Sequence, residues 1–173
     1  LSKSGKYWYE MTPDTLADFV LSLNPDKRLF YARLHDRSFV DQRLTRFTIE
    51  GGRDNIELYH ALLNSIVGLF YIEALGFGRG LGALDLNSSD VSENLMMLNP
   101  NAVSSSARDT ILQAFKPLRQ REPKPLPEEL SRSDRNDFDQ AVLSAYDLTD
   151  KLTDIRQSLE DLYGIRKSIE SAD

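Results

Sequence analysis

From Asn55 to Leu75 the apolar side chains recur at helical spacing. Ile56, Tyr59, Leu62, Leu63, Ile66, Val67, Phe70 and Leu75 fall along one broad face. The stretch then runs into Gly76-Phe-Gly-Arg-Gly-Leu-Gly82. Four glycines in seven positions predict a loop, because neither a helix nor a strand tolerates that density in its interior. So apolar a helix needs a cover, which its flanks must supply.

Upstream, Lys6-Tyr-Trp-Tyr9 is aromatic and predicts a short strand or a docking segment. Thr12-Pro13-Asp14 predicts a helix start, with Leu16, Phe19, Val20 and Leu23 in helical phase and Asn24-Pro25 as the stop. Leu29–Leu34 and Arg43–Ile49 predict two strands joined by 35–42, with Gly51-Gly52 as a turn. Downstream, Ala83–Leu86 and Leu95–Leu98 predict short strands around a brief helix that Ser88-Ser89-Asp90 begins. A helix over 104–115 follows, and then Pro117, Pro123, Pro125 and Pro127 predict a semi-rigid linker over 117–127. Helices over 134–146 and 149–171 end the chain. The expected fold is α+β, a small mixed sheet packed with one long apolar helix and followed by a C-terminal helical pair. The expected divisions are a recognition-like domain at 1–116, the linker, and an acidic helical segment at 128–173.

Composition narrows the chemistry. There are no cysteines and only two histidines, His35 and His60, so disulfides and thiolate zinc are excluded and no metal site is expected. No apolar run is long enough to span a bilayer and no signal segment opens the chain, so a cytoplasmic location is expected. The chain opens on Leu1, which predicts a piece of a longer protein. The net charge of −6 is confined to the end: 1–124 holds 15 basic and 15 acidic side chains, and 125–173 holds 6 and 12. Within 27–53, seven basic residues face three acidic ones. Local field governs nucleic-acid binding, so a DNA-facing surface is permitted.

No catalytic constellation is legible. Asn24-Pro25 and Asn99-Pro100 do not continue into the Pro-aromatic of an amino-methylating loop. The glycine run follows a helix rather than a strand, and it lacks the Lys-Ser/Thr ending of a phosphate loop. No serine is placed by motif against either histidine.

Tyr59-His-Ala-Leu-Leu-Asn-Ser65, the helix beyond it, Leu75-Gly-Phe-Gly-Arg-Gly-Leu-Gly-Ala-Leu84, residues 85–94 and Leu98-Asn-Pro100 follow one another in an order that resembles a known family. It is the target-recognition part of N-6 adenine DNA methylases of restriction–modification systems, and type I specificity subunits show the same order. Arg132–Leu148, with its Asp, Ala-Val, Ala-aromatic and Asp-Leu, is similar to the tail of these methylases. The resemblance implies a module that binds double-stranded DNA and holds an N-terminal methyltransferase domain of the same chain over one adenine. That separate domain would use S-adenosylmethionine; no cofactor is expected within this chain.

The residues expected to meet DNA are Arg79 among its glycines, then Arg37, Arg43, Arg46 and Arg53 on or beside the strands, and Asn87 at a helix start. Each has a plainer reading: Arg79 as a solvated turn residue, the other arginines as solvated surface, and Asn87 with Ser88 and Ser89 as caps. Asn64 and Ser65 are expected to be satisfied by backbone or a neighbouring loop. The competing expectation is a protein-interaction module, homo-oligomeric through a helical seam at Leu152–Ile169.

Overall fold

The computed structural model describes residues 16–50, 53–78 and 82–168. The readings for Lys6–Tyr9, Thr12–Asp14, Gly51-Gly52 and Arg79 lie outside them. The architecture is α+β. A three-stranded antiparallel sheet has the order β2-β1-β3, built from β1 (Leu16–Ser22), β2 (Ala32–Phe39) and β3 (Leu44–Phe47). A second antiparallel pair joins β4 (Phe77–Gly78) to β5 (Leu84–Asp85). The helices are α1 (Ile56–Leu63), α2 (Ile66–Leu75), α3 (Ser88–Asn94), α4 (Ser105–Gln120), α5 (Leu126–Leu130), α6 (Ser133–Ser144) and α7 (Leu152–Ser168).

Several expectations need correction. Residues 16–22 form the central strand rather than a helix. Ala17 through Leu21 are buried without a break, on both faces of the sheet, and a strand buried on both sides shows no alternation to read. Both sheets are antiparallel, not mixed. The glycine run is not all loop, since Phe77-Gly78 pairs with Leu84-Asp85. Leu95–Leu98 is extended chain outside any sheet; Leu95, Met97 and Leu98 lean on the cores instead.

The long apolar helix is two helices, α1 and α2, bent by 58° at Asn64-Ser65. The bend brings Gly68 against α1. A Cβ there would lie 1.8 Å from the Leu63 carbonyl oxygen, so only glycine permits the approach. No single helix among the described residues is long and apolar enough to cross a membrane.

The 117–120 part of the expected linker is the last turn of α4, with Pro117 inside the helix. Proline there forgoes a backbone bond. Leu118 packs beside Phe115, and Arg119 reaches across to Glu57 on α1. At the far end of that segment Leu126 is fully buried, and its amide donates to the Lys27 carbonyl at 2.8 Å. One hydrophobic cluster joins Phe19 and Leu21 of β1 to Leu69 and Ile72 of α2, Leu130 of α5, Leu143 of α6 and Leu159 of α7. The C-terminal helices therefore share a core with the sheet.

The end of α6 shows why its sequence reads as it does. Leu148 donates to the Leu143 carbonyl at 2.9 Å and Asp147 donates to that of Ser144 at 3.3 Å, the two bonds of a Schellman cap. Asp147 takes the left-handed conformation this requires, φ 56°. Only glycine, or a short polar residue such as aspartate, enters that region readily. Asp147→Gly is expected to raise stability by roughly 0.5–1 kcal/mol in urea unfolding, and a loss of stability would show that the Asp147 side chain contributes more than its strain removes.

Candidate functional site

The break between α1 and α2 is held by side chains from three places. The Asn64 side chain accepts from the Tyr31 amide and donates to the Tyr31 and His60 carbonyls, each at 3.0 Å. Ser65 donates its hydroxyl to the Leu62 carbonyl at 2.7 Å. From α6, Arg135 donates to the Asn64 carbonyl at 2.8 Å and Asp139 accepts the Ile66 amide at 2.8 Å. Arg135 and Asp139 are themselves paired at 2.8 and 2.9 Å, both out of reach of solvent. One end of α1 thus receives a cation and the start of α2 an anion, the signs that helix ends prefer. Leu63-Asn64-Ser65 and Arg135…Asp139 belong to the two stretches that carry the family resemblance, and they touch.

Beyond α2 the chain turns through β4 and β5, whose connection is Arg79-Gly80-Leu81-Gly82-Ala83. The base of this hairpin is fixed. Arg166 of α7 pairs with Glu73 at 2.6 and 3.1 Å and donates to the carbonyls of Gly82 at 2.5 Å and Asp26 at 3.1 Å. Gly76 lies so close to Leu84 that an added Cβ would stand 2.2 Å from its side chain. Leu86, past β5, donates to the Leu23 carbonyl at 2.8 Å. The base of this connection is therefore held by hydrogen bonds and by the buried Leu84 and Asp85 of β5, while Phe77 and Gly78 of β4 are exposed.

The other expected DNA contacts are mostly occupied. Arg37 and Arg53 both turn to Asp18, whose side chain is wholly buried in the central strand. Arg37 donates at 2.6 Å and Arg53 pairs at 3.0 Å. Burial alone would raise the Asp18 carboxyl. The bonds from Arg37 and the Ile49 amide, with the charges of both arginines, outweigh it and hold it below the ordinary value of 3.8. Arg46 donates to the Val40 carbonyl at 3.4 Å. Arg43 is exposed at the turn before β3, and Asn87 caps α3 by accepting from Ser89 at 3.0 Å. The set does not converge on one patch: Arg37 and Arg53 serve the sheet, and Asn87 serves a helix.

Sequence reasoning passed over Glu57 and Arg119, counted Arg33 only among the basic residues of 27–53, and read His60 as structural or exposed rather than functional. Glu57 on α1 takes Arg33 from β2 on one oxygen and Arg119 from α4 on the other. Burial would raise its carboxyl, but the two guanidinium groups bring it below 4.5. His60 lies beneath them, stacked on Phe19 at 5.8 Å and edge-on to Phe115 at 5.0 Å. Its Nε2 donates to the Tyr31 carbonyl at 3.0 Å, which fixes the neutral tautomer. The polar residues on α1 were the available signal. Glu57 and His60, three apart, flank one helix face.

Burial lowers the His60 pKa from 6.5 to about 4. The unfolded chain therefore takes up a proton that the folded chain refuses between those values. Stability is complete above pH 6.5 and falls as pH drops toward 4, by about 3 kcal/mol in all. Urea unfolding at about pH 7 and about pH 4.5 is expected to show most of that loss in the native sequence and little in His60→Gln. Equal losses in the two proteins would assign the pH dependence to other groups.

No known protein family, curated protein or solved structure matches the chain.

Proposed function

We propose that this chain is a sequence-specific DNA-recognition module that positions a separate S-adenosylmethionine-dependent adenine methyltransferase domain in a restriction–modification system. The observation that carries the reading is the joint at Asn64-Ser65. The two stretches that resemble the methylase recognition region, 58–100 and 132–148, meet there through Arg135 and Asp139. The two stretches on which the resemblance rests are thus in direct contact.

The glycine-rich connection between β4 and β5, with Arg79, is the reading element. Glycines let a backbone approach a DNA groove closely, and an arginine fork suits guanine or phosphate. Arg43 contributes sequence-independent phosphate contact, while Arg37 and Arg53 are committed first to Asp18. Chemistry takes place elsewhere: the catalytic domain turns the adenine out of the duplex and moves a methyl group to its exocyclic nitrogen. The interaction-module alternative has less to stand on, because Leu152, Ile155 and Leu159 of its helical seam pack into the chain's own core.

Methylation mapping of DNA from cells carrying the parent protein, native and Arg79→Ala, tests this reading. The native protein is expected to mark adenine in one sequence context, and the substitution to lose or relax it by about 1–3 kcal/mol of discrimination, roughly 5- to 150-fold. Absence of adenine methylation would defeat the function. An unchanged context in the variant would remove Arg79 from the reading element.

A further inference from the structure

An open cleft of about 200 Å³ lies between the start of β2 and the last turns of α4. Leu29, Phe115 and Leu118 give it apolar walls, and Phe30 beside them is 40% exposed. A void of about 150 Å³ accommodates benzene, and a water needs about 30 Å³, so the cleft has room for one aromatic ring system and little more. On the same walls stand Arg33 and Arg119. They share the single carboxylate of Glu57, so one guanidinium charge remains unbalanced. Each guanidinium has five N–H donors and its bond to Glu57 occupies one, leaving two pre-oriented forks for an oxyanion. Two further residues of the lining, Tyr31 and His60, keep a buried polar atom, Oη and Nδ1, without a partner among the described residues.

We propose that this cleft binds a nucleotide unit, with the ring on the apolar walls beside Phe30 and Phe115 and the phosphate on Arg33 and Arg119. A purely apolar ligand would leave the two cations unused, and a bare phosphate would leave the aromatic walls unused. Stacking on aromatic side chains together with cationic contact to phosphate is the general chemistry of nucleotide capture. The same chemistry is offered by a free mononucleotide and by one nucleotide of a DNA strand. The inference stands on the cleft alone and does not rest on the role of the glycine connection.

The test is titration of the 173-residue chain, followed by NMR shifts and calorimetry, with adenosine monophosphate, adenosine, inorganic phosphate and a four-nucleotide single strand. The nucleotide is expected to shift the Phe30, Ala32 and Phe115 resonances and to bind about tenfold more tightly than adenosine or phosphate alone. Arg119→Gln and Phe30→Ala, both at exposed positions, are each expected to weaken it about tenfold with the thermal midpoint little changed. A strand that binds at least tenfold better than the mononucleotide identifies DNA as the source; equal affinity identifies the free nucleotide. No shift at about 10 mM nucleotide would overturn the proposal. So would equal binding of nucleotide and phosphate that ignores both substitutions.

Discussion

Asp139→Ala is expected to lower the stability of this protein by about 3–5 kcal/mol, enough to leave much of a marginally stable chain unfolded. The substitution removes the counter-charge of Arg135, a residue only 3% exposed, and leaves that guanidinium buried without it. It also strips the Ile66 amide, at the first turn of α2, of the acceptor that replaces a missing helical bond. Equilibrium unfolding in urea, followed by circular dichroism, measures the loss. Asp139→Asn keeps an acceptor for Ile66 but not the charge, and its stability is expected to fall between the two. A loss below about 1 kcal/mol for Asp139→Ala would mean that the joint is held by packing alone.

The second large effect is expected at Glu73. Its carboxylate is almost fully buried on α2 and its partner Arg166 is 6% exposed, so Glu73→Ala leaves a buried cation with only two carbonyls and the Tyr163 ring as partners. The expected loss is again about 3–5 kcal/mol. Replacing both residues by apolar ones of similar size, Glu73→Leu with Arg166→Met, is expected to recover most of it, because an unpaired ion costs more than an absent pair. If the double variant were no better than the single one, the carbonyl bonds from Arg166 to Gly82 and Asp26 would be the stabilising part.

Elements with a local signature were legible in the sequence. The apolarity of 56–75, the start of α3 and the periodicity of α6 and α7 all depend on neighbours a few residues away, and each appears close to its expected place. What escaped depends on distant partners. The bend at Asn64 was not announced, because its local bonds to His60 and Leu62 are joined by groups 33, 71 and 73 residues away. The central strand was hidden because burial on both faces erases alternation. That error propagated: with 16–22 read as a helix, nothing brought Asp18 to Arg37 and Arg53, and both arginines were left to seek a ligand outside the chain. The Glu57 cluster was missed for the same reason, since Arg33 and Arg119 lie 24 and 62 residues from it.

Arg166 also bears on the order in which the chain can be assembled. Its bonds to Glu73, Gly82 and Asp26 span 93, 84 and 140 residues. A chain emerging from the ribosome can form the helix that carries Glu73 long before the residue that neutralises it exists. Until α7 arrives, Glu73 lacks its counter-charge and the β4–β5 hairpin lacks its lock. The lock on the base of the β4–β5 hairpin is thus a long-range contact rather than a local one, and it cannot form before α7 has been made.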